Sequence, residues 1–174
     1  MRIAKIIVSM GVTLSIMVVI FMFSAQDGGQ SGSLSTAVAH MLATVFVPGF
    51  DAMGLSEQAA LIDQLAWPIR KTAHATEYAC LAISLVIACW QLYAWRCDSN
   101  PSAHRLTTRI TRTGLVAFAV AVLYAASDEI HQLFIDGRAG QVTDVLVDAS
   151  GAAIGCILCC LIMYAFLKRH EARV

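Results

Sequence analysis

Residues 127–138 read SDEIHQLFIDGR, directly after the uncharged run GLVAFAVAVLYAA. Asp128, Glu129 and His131 are of the types that take or give protons near neutral pH. Arg138 is the type that holds a phosphate or carboxylate through two parallel hydrogen bonds. The same chemistry recurs elsewhere in apolar surroundings. RKTAHATEYACL (70–81) brings Lys71, His74, Glu77 and Tyr78, and QVTDVLVDAS (141–150) brings Asp144 and Asp148. His74, Glu77, Asp128, Glu129 and His131 are therefore candidate catalytic acids and bases. Lys71, Tyr78, Gln132, Arg138, Asp144, Asp148, Ser24 and Gln26 are candidate substrate-binding residues. Ser127 is an alternative nucleophile that needs a base from another helix. His74-x-x-Glu77 and Asp128-Glu129-x-His131 also offer metal-ligand types from two helices. The cations beside them favour an anion instead, and neither a metal nor another cofactor is expected.

The elements that position these residues follow from composition. Of 174 residues, 58% are hydrophobic and 14% charged, against about 25% charged in soluble domains. Formal net charge is zero, so no basic surface speaks for nucleic acid. A membrane helix needs about 20 mostly apolar residues. Spans are expected at about 3–23, 72–95, 113–134 and 142–167. The third crosses only if the charged dodecamer lies partly inside the membrane. The first is longer than the apolar core of a signal peptide and reads as a retained helix. The fold expected is all-α: a polytopic membrane protein with four helices in one bundle, forming one domain over 1–174.

Basic residues orient it. Arg2, Lys5, Arg96, Arg105, Arg109, Arg112, Lys168, Arg169 and Arg173 fall on one side, and Arg70, Lys71 and Arg138 on the other. The excess marks the cytoplasmic face. The chain is expected in a bacterial plasma (inner) membrane, multi-pass, with both termini cytoplasmic.

The long outer loop (24–71) opens on SAQDGGQSGSLS, read as flexible. Leu34, Val38, Met41, Leu42, Val45 and Phe46 then recur at helical spacing, an amphipathic helix on the membrane or against the bundle. A second short helix, with Ser56 as N-cap, is expected to end at Trp67-Pro68. Cys80, Cys89, Cys156, Cys159 and Cys160 lie in apolar runs and Cys97 just past one, so all read as small packing residues, Cys156-Ile-Leu-Cys159 included.

On this topology the candidates of three helices meet near the outer ends. Charges inside a membrane are costly and by default mark a functional site. Singly, each could be a helix-end group at the headgroup level, with Arg138 paired to Asp144 across the turn. Together they form an outward-opening polar pocket. Gly151-x-x-x-Gly155 continues the face of Asp144 and Asp148 and is expected to pack inside the bundle.

FSAQ (23–26), RKTAHATEYACL and YAASDEIHQLFIDGRAGQVTDVLVDASGAAIG (124–155) resemble the VanZ-like membrane protein family over all four spans. Two departures are Asp136 before Gly137-Arg138, where the family often has Pro, and Asp148, where it usually has Asn. The resemblance implies an envelope protein linked to teicoplanin resistance, without a settled activity. Three functions stay open. One is an intramembrane enzyme for an envelope lipid or cell-wall precursor. The others are a binding or transport protein for a proton or small anion, and a structural partner of cell-wall machinery. Membrane lipids and a lipid-linked or anionic envelope substrate are the partners expected; the sequence does not set the oligomeric state.

Overall fold

The computed structural model describes residues 2–97 and 106–171; Arg105 and Arg173, and the side chains of Arg96 and Cys97, lie outside that description. Five helices follow one another: α1 (Arg2–Ser24), α2 (Gly28–Phe46), α3 (Leu55–Cys97), α4 (Leu106–Gln132) and α5 (Val142–Glu171). A single 3₁₀ turn, Phe50–Ala52, joins α2 to α3. No strand occurs among the described residues. Helices α1, α3, α4 and α5 are each long and apolar enough to cross a membrane, as the expected four-span bundle requires.

The reason for helices alone is the solvent. Hydrocarbon offers no hydrogen bonds, so every backbone group must be satisfied within its own segment. Polar side chains obey the same rule: the hydroxyls of Thr13, Ser84 and Thr113 donate to carbonyls of their own helices, at Ser9, Leu81 and Arg109. Large apolar side chains point outward, including Ile7, Leu14 and Met22 of α1 and Leu123, Ile157 and Phe166 of the others.

Small residues hold the bundle together. Ala117, Ala121 and Ala125 form a ridge on α4 that meets Tyr78, Leu81, Ala82 and Val86 of α3 and Ala152 of α5 in one buried cluster. Gly151 and Gly155 pack against α3, and a Cβ on either would overlap the carbonyl of Ala75 or Ala79 respectively. The expected internal role of GxxxG is thus realised by two α3 alanines that the motif itself does not name. The thiols behave as packing groups: Cys156 and Cys160 face the carbonyls of Gly114 and Ile110 at 3.6 and 3.9 Å. Cys80, Cys89, Cys156, Cys159 and Cys160 are all free.

Several expectations need correction. Residues from Gly28 onward are helical rather than flexible, because Asp27 caps α2 by accepting from the Gln30 amide at 2.7 Å. Helix α2 packs on α3 through the small residues Ser35, Ala39 and Ala43, while Leu34, Met41, Val45 and Phe46 remain exposed. The stripe is split: Val38 and Leu42 are half-buried and Val38 lines the space against α3, so the helix lies against the bundle, one of the two placements expected.

The break expected at Trp67-Pro68 is absent. Helix α3 runs unbroken through Pro68 for 43 residues, about 65 Å at 1.5 Å per residue, twice the roughly 30 Å hydrocarbon core. Proline removes one backbone hydrogen bond there, and α2 packs alongside α3. The helix also starts at Leu55, before Ser56, with Glu57 reaching back to the Gly54 amide at 3.1 Å. Helix α4 stops at Gln132, two residues short of the expected end, and tight turns carry the chain to Arg138.

Gly151→Ala should destabilise the protein by about 1–3 kcal/mol, the usual penalty for overpacking. Gly32→Ala, with nothing within 4 Å of its added Cβ, should be neutral or stabilising by up to about 1 kcal/mol. Thermal unfolding of the two variants in detergent, side by side, checks this.

Candidate functional site

One end of the bundle gathers the polar residues, and the turn between α4 and α5 builds its roof. Gly137 adopts a left-handed conformation (φ 71°), which a residue without Cβ reaches at no steric cost. It lies against Gly28, whose amide donates to the Asp136 carbonyl at 3.1 Å; a Cβ on Gly28 would overlap the Gly137 carbonyl. Gly140 sits as tightly on the Glu129 carbonyl. Glu129 itself accepts from the Gln141 amide at 2.9 Å, so its carboxylate anchors the roof.

Arg138 ties this roof to α1. Its Nε donates to the Gln26 carbonyl (3.1 Å), Nη2 to the Phe23 carbonyl (3.1 Å) and Nη1 to Gln132 Oε1 (3.3 Å). The first two acceptors are carbonyls at the end of α1, where a helix lacks its own donors and favours positive charge. All three acceptors are neutral. No carboxylate pairs with Arg138 or Arg70 among the described residues. Burial foremost, and then the charge of Arg70, pull the Arg138 guanidinium below its ordinary value. The pairing of Arg138 with Asp144 is not formed, because Lys71 takes Asp144. That Lys71 ammonium also lies 5.7 Å from the Trp67 ring.

Two chambers lie under the roof. The larger, of about 370 Å³, is lined by Trp67, Arg70, Lys71 and His74 of α3, by Gln132 and Arg138, and by Asp144. The smaller, of about 150 Å³, lies between α2 and α3 and reaches Gln26 and Glu77. Arg70, His74 and Arg138 line both. They form the wall that the chambers share.

The remaining candidates stand behind that wall. Asp128, 3% exposed, accepts from Gln132 Nε2 at 3.3 Å, so Arg138, Gln132 and Asp128 form a chain leading inward. Asp148 is fully buried, with Oδ1 3.7 Å from His74 Nδ1. Neither carboxyl oxygen of Asp148 has a hydrogen-bond partner. Tyr78 is fully buried with an unpartnered hydroxyl, and the buried Ser24 hydroxyl lies beside Asp128. His131 lines neither chamber: its ring stacks on Phe21 of α1, centroids 4.7 Å apart, with Nε2 buried and unpartnered. Ser127 is exposed and donates to the Tyr124 carbonyl at 2.7 Å, away from the cavity. The described residues bring no three His, Cys, Asp or Glu side chains into metal-holding geometry.

Arg70 was missed as a site residue and counted only as a charge. Its spacing of four from His74 and seven from Glu77 was the signal, since those intervals share one helical face.

The chemistry available is anion capture by guanidinium groups beside an imidazole backed by a carboxylate. Lys71 and Asp144 are the strut that closes the larger chamber between α3 and α5. A double-mutant cycle with Lys71→Met and Asp144→Asn should give a coupling of roughly 0.5–3 kcal/mol in unfolding stability. Coupling indistinguishable from zero would remove the strut.

No curated protein and no solved structure matches the chain. The VanZ/LLP1 family model matches residues 10–164, from within α1 to within α5. That stretch carries every candidate residue, in agreement with the resemblance of the motifs, and this membrane protein belongs to the VanZ/LLP1 family.

Proposed function

We propose that the two chambers form an outward-facing site at which an anionic envelope lipid or cell-wall precursor is bound and chemically altered, and that teicoplanin resistance is the phenotype of that change. The observation that carries the reading is the shared wall: two guanidiniums without carboxylate partners beside one imidazole. Arg70 and Arg138 hold the anion, Arg138 with the geometry already set by its three neutral acceptors. His74 is the acid or base. Its Nδ1 is buried 3.7 Å from Asp148 Oδ1, longer than a hydrogen bond, which leaves Nε2 for the substrate. Glu77 stands at the inner edge of the smaller chamber. Asp144 and Lys71 set the width of the larger one. On this reading both termini face the cytoplasm of a bacterial inner membrane.

Against transport speaks the lack of a polar path beyond Tyr78. The buried hydroxyls further along, Thr13, Ser84 and Thr113, are each bonded to their own helix, and no buried acid accompanies them among the described residues.

Lipid extracts of cells with and without the protein, compared by mass spectrometry, test the reading. A lipid species present only with the protein is expected. His74→Ala, at equal membrane abundance, should lower its formation about 10²–10⁴-fold, the usual contribution of a general acid or base. Identical extracts would end the enzymatic reading.

A further inference from the structure

The polar chambers do not stop at the bundle end. Glu77 lines the smaller chamber on one side and, on the other, an apolar cleft of about 650 Å³ between α1 and α3. This cleft is walled by Gly11, Ser15, Ile16 and Val19 of α1 against Thr76 and Cys80 of α3. A second cleft of about 650 Å³ continues it towards the far end, sharing Val8, Val12, Ile16 and Cys80 and reaching Gln91. From Glu77 to Gln91 the groove follows α3 for about 21 Å at 1.5 Å per residue, some two thirds of the roughly 30 Å hydrocarbon core.

Contacts that tie α1 to the rest of the bundle gather near the polar end: the Tyr124 hydroxyl on the Met17 carbonyl, Phe21 on His131, and Arg138 on Phe23 and Gln26. Between Ala4 and Ile16 the groove lies along α1 and α3. A Cβ added at Gly11 meets nothing within 4 Å, so the space beside it is open.

We propose that this groove holds the hydrocarbon chain of a phosphate-headed lipid whose head lies against Arg70 and Arg138, entering sideways from the bilayer past Glu77. The inference deepens the proposed function, on which it rests, by naming the ligand as a membrane amphiphile. Two lines support it. The groove and the chamber that carries the two guanidiniums share Glu77 as a common wall, and phosphate is one of the two anions whose geometry guanidinium groups match. Its walls are apolar along a length that matches a lipid chain, and on a surface facing hydrocarbon such a chain costs nothing to desolvate.

The test uses the full chain in phosphatidylcholine nanodiscs with trace phosphatidic acid bearing a photoreactive group midway along its acyl chain. Labelling is expected on the 8–16 and 76–87 stretches, displaced by unlabelled phosphatidic acid and not by added phosphatidylcholine. Gly11→Leu puts a side chain into the groove at a position where an added Cβ meets nothing within 4 Å, and favours the helix. It should lower labelling about tenfold while leaving equilibrium binding of inorganic phosphate unchanged. Arg70→Gln should weaken both. Labelling that survives Gly11→Leu, or that phosphatidylcholine displaces equally, overturns the groove. Absence of phosphate binding to the parent protein, with labelling still lost in Gly11→Leu, overturns the anion site and leaves the groove standing.

Discussion

The contact between α3 and α5 sets the register for everything at the polar end. Gly151 and Gly155 lie so close to Ala75 and Ala79 that no Cβ fits between the backbones. Both helices then project their next residues into a common space, at intervals of three or four. On α3 these are His74, beside Ala75, and Lys71 four residues before it. On α5 they are Asp148 and Asp144, three and seven residues before Gly151. The pairs His74–Asp148 and Lys71–Asp144 follow from one steric fact. A one-residue slip would turn the acids of α5 towards lipid, where an isolated charge is costly.

The second constraint is the solvent. Because hydrocarbon cannot satisfy a polar group, many polar residues bond their own helix, as Thr13 and Thr113 do, and most of the others gather at one end of the bundle. The roof shows how that assembly is held. Glu129 fixes the start of α5 through the Gln141 amide, and Arg138 closes the end of α1. Three acids of similar sequence appearance thereby take different places. Glu129 is a tether, Asp128 stands behind Gln132, and Asp148 stands behind His74. Only Arg70, His74 and Arg138 line both chambers.

Helix α1 differs from the others. Only Thr13, Ile20 and Ser24 of its described residues are buried. Its attachment through Arg138 couples the roof to the position of α1, so a ligand that touches the guanidinium also touches the helix end. The extension of α3 beyond the bundle, braced by α2, carries Trp67 and Arg70 to the rim of the larger chamber. A proline break there would have left both on a loop.

Hydropathy and charge were enough to read four spans, the all-helical class and the end at which polar residues collect. Those properties depend on side-chain solvation, which each residue carries with it into any fold. GxxxG was equally legible as a close-contact face, because only missing side-chain volume is needed to state it. Partners were not. That Asp144 meets Lys71 rather than Arg138, that His131 turns to Phe21, and that Arg70 belongs to the wall all depend on rotation about helix axes. So does the groove beside Gly11. Rotations and separations of helices are decided by the summed packing of residues far apart in the chain, and for that reason only the tertiary structure could decide them.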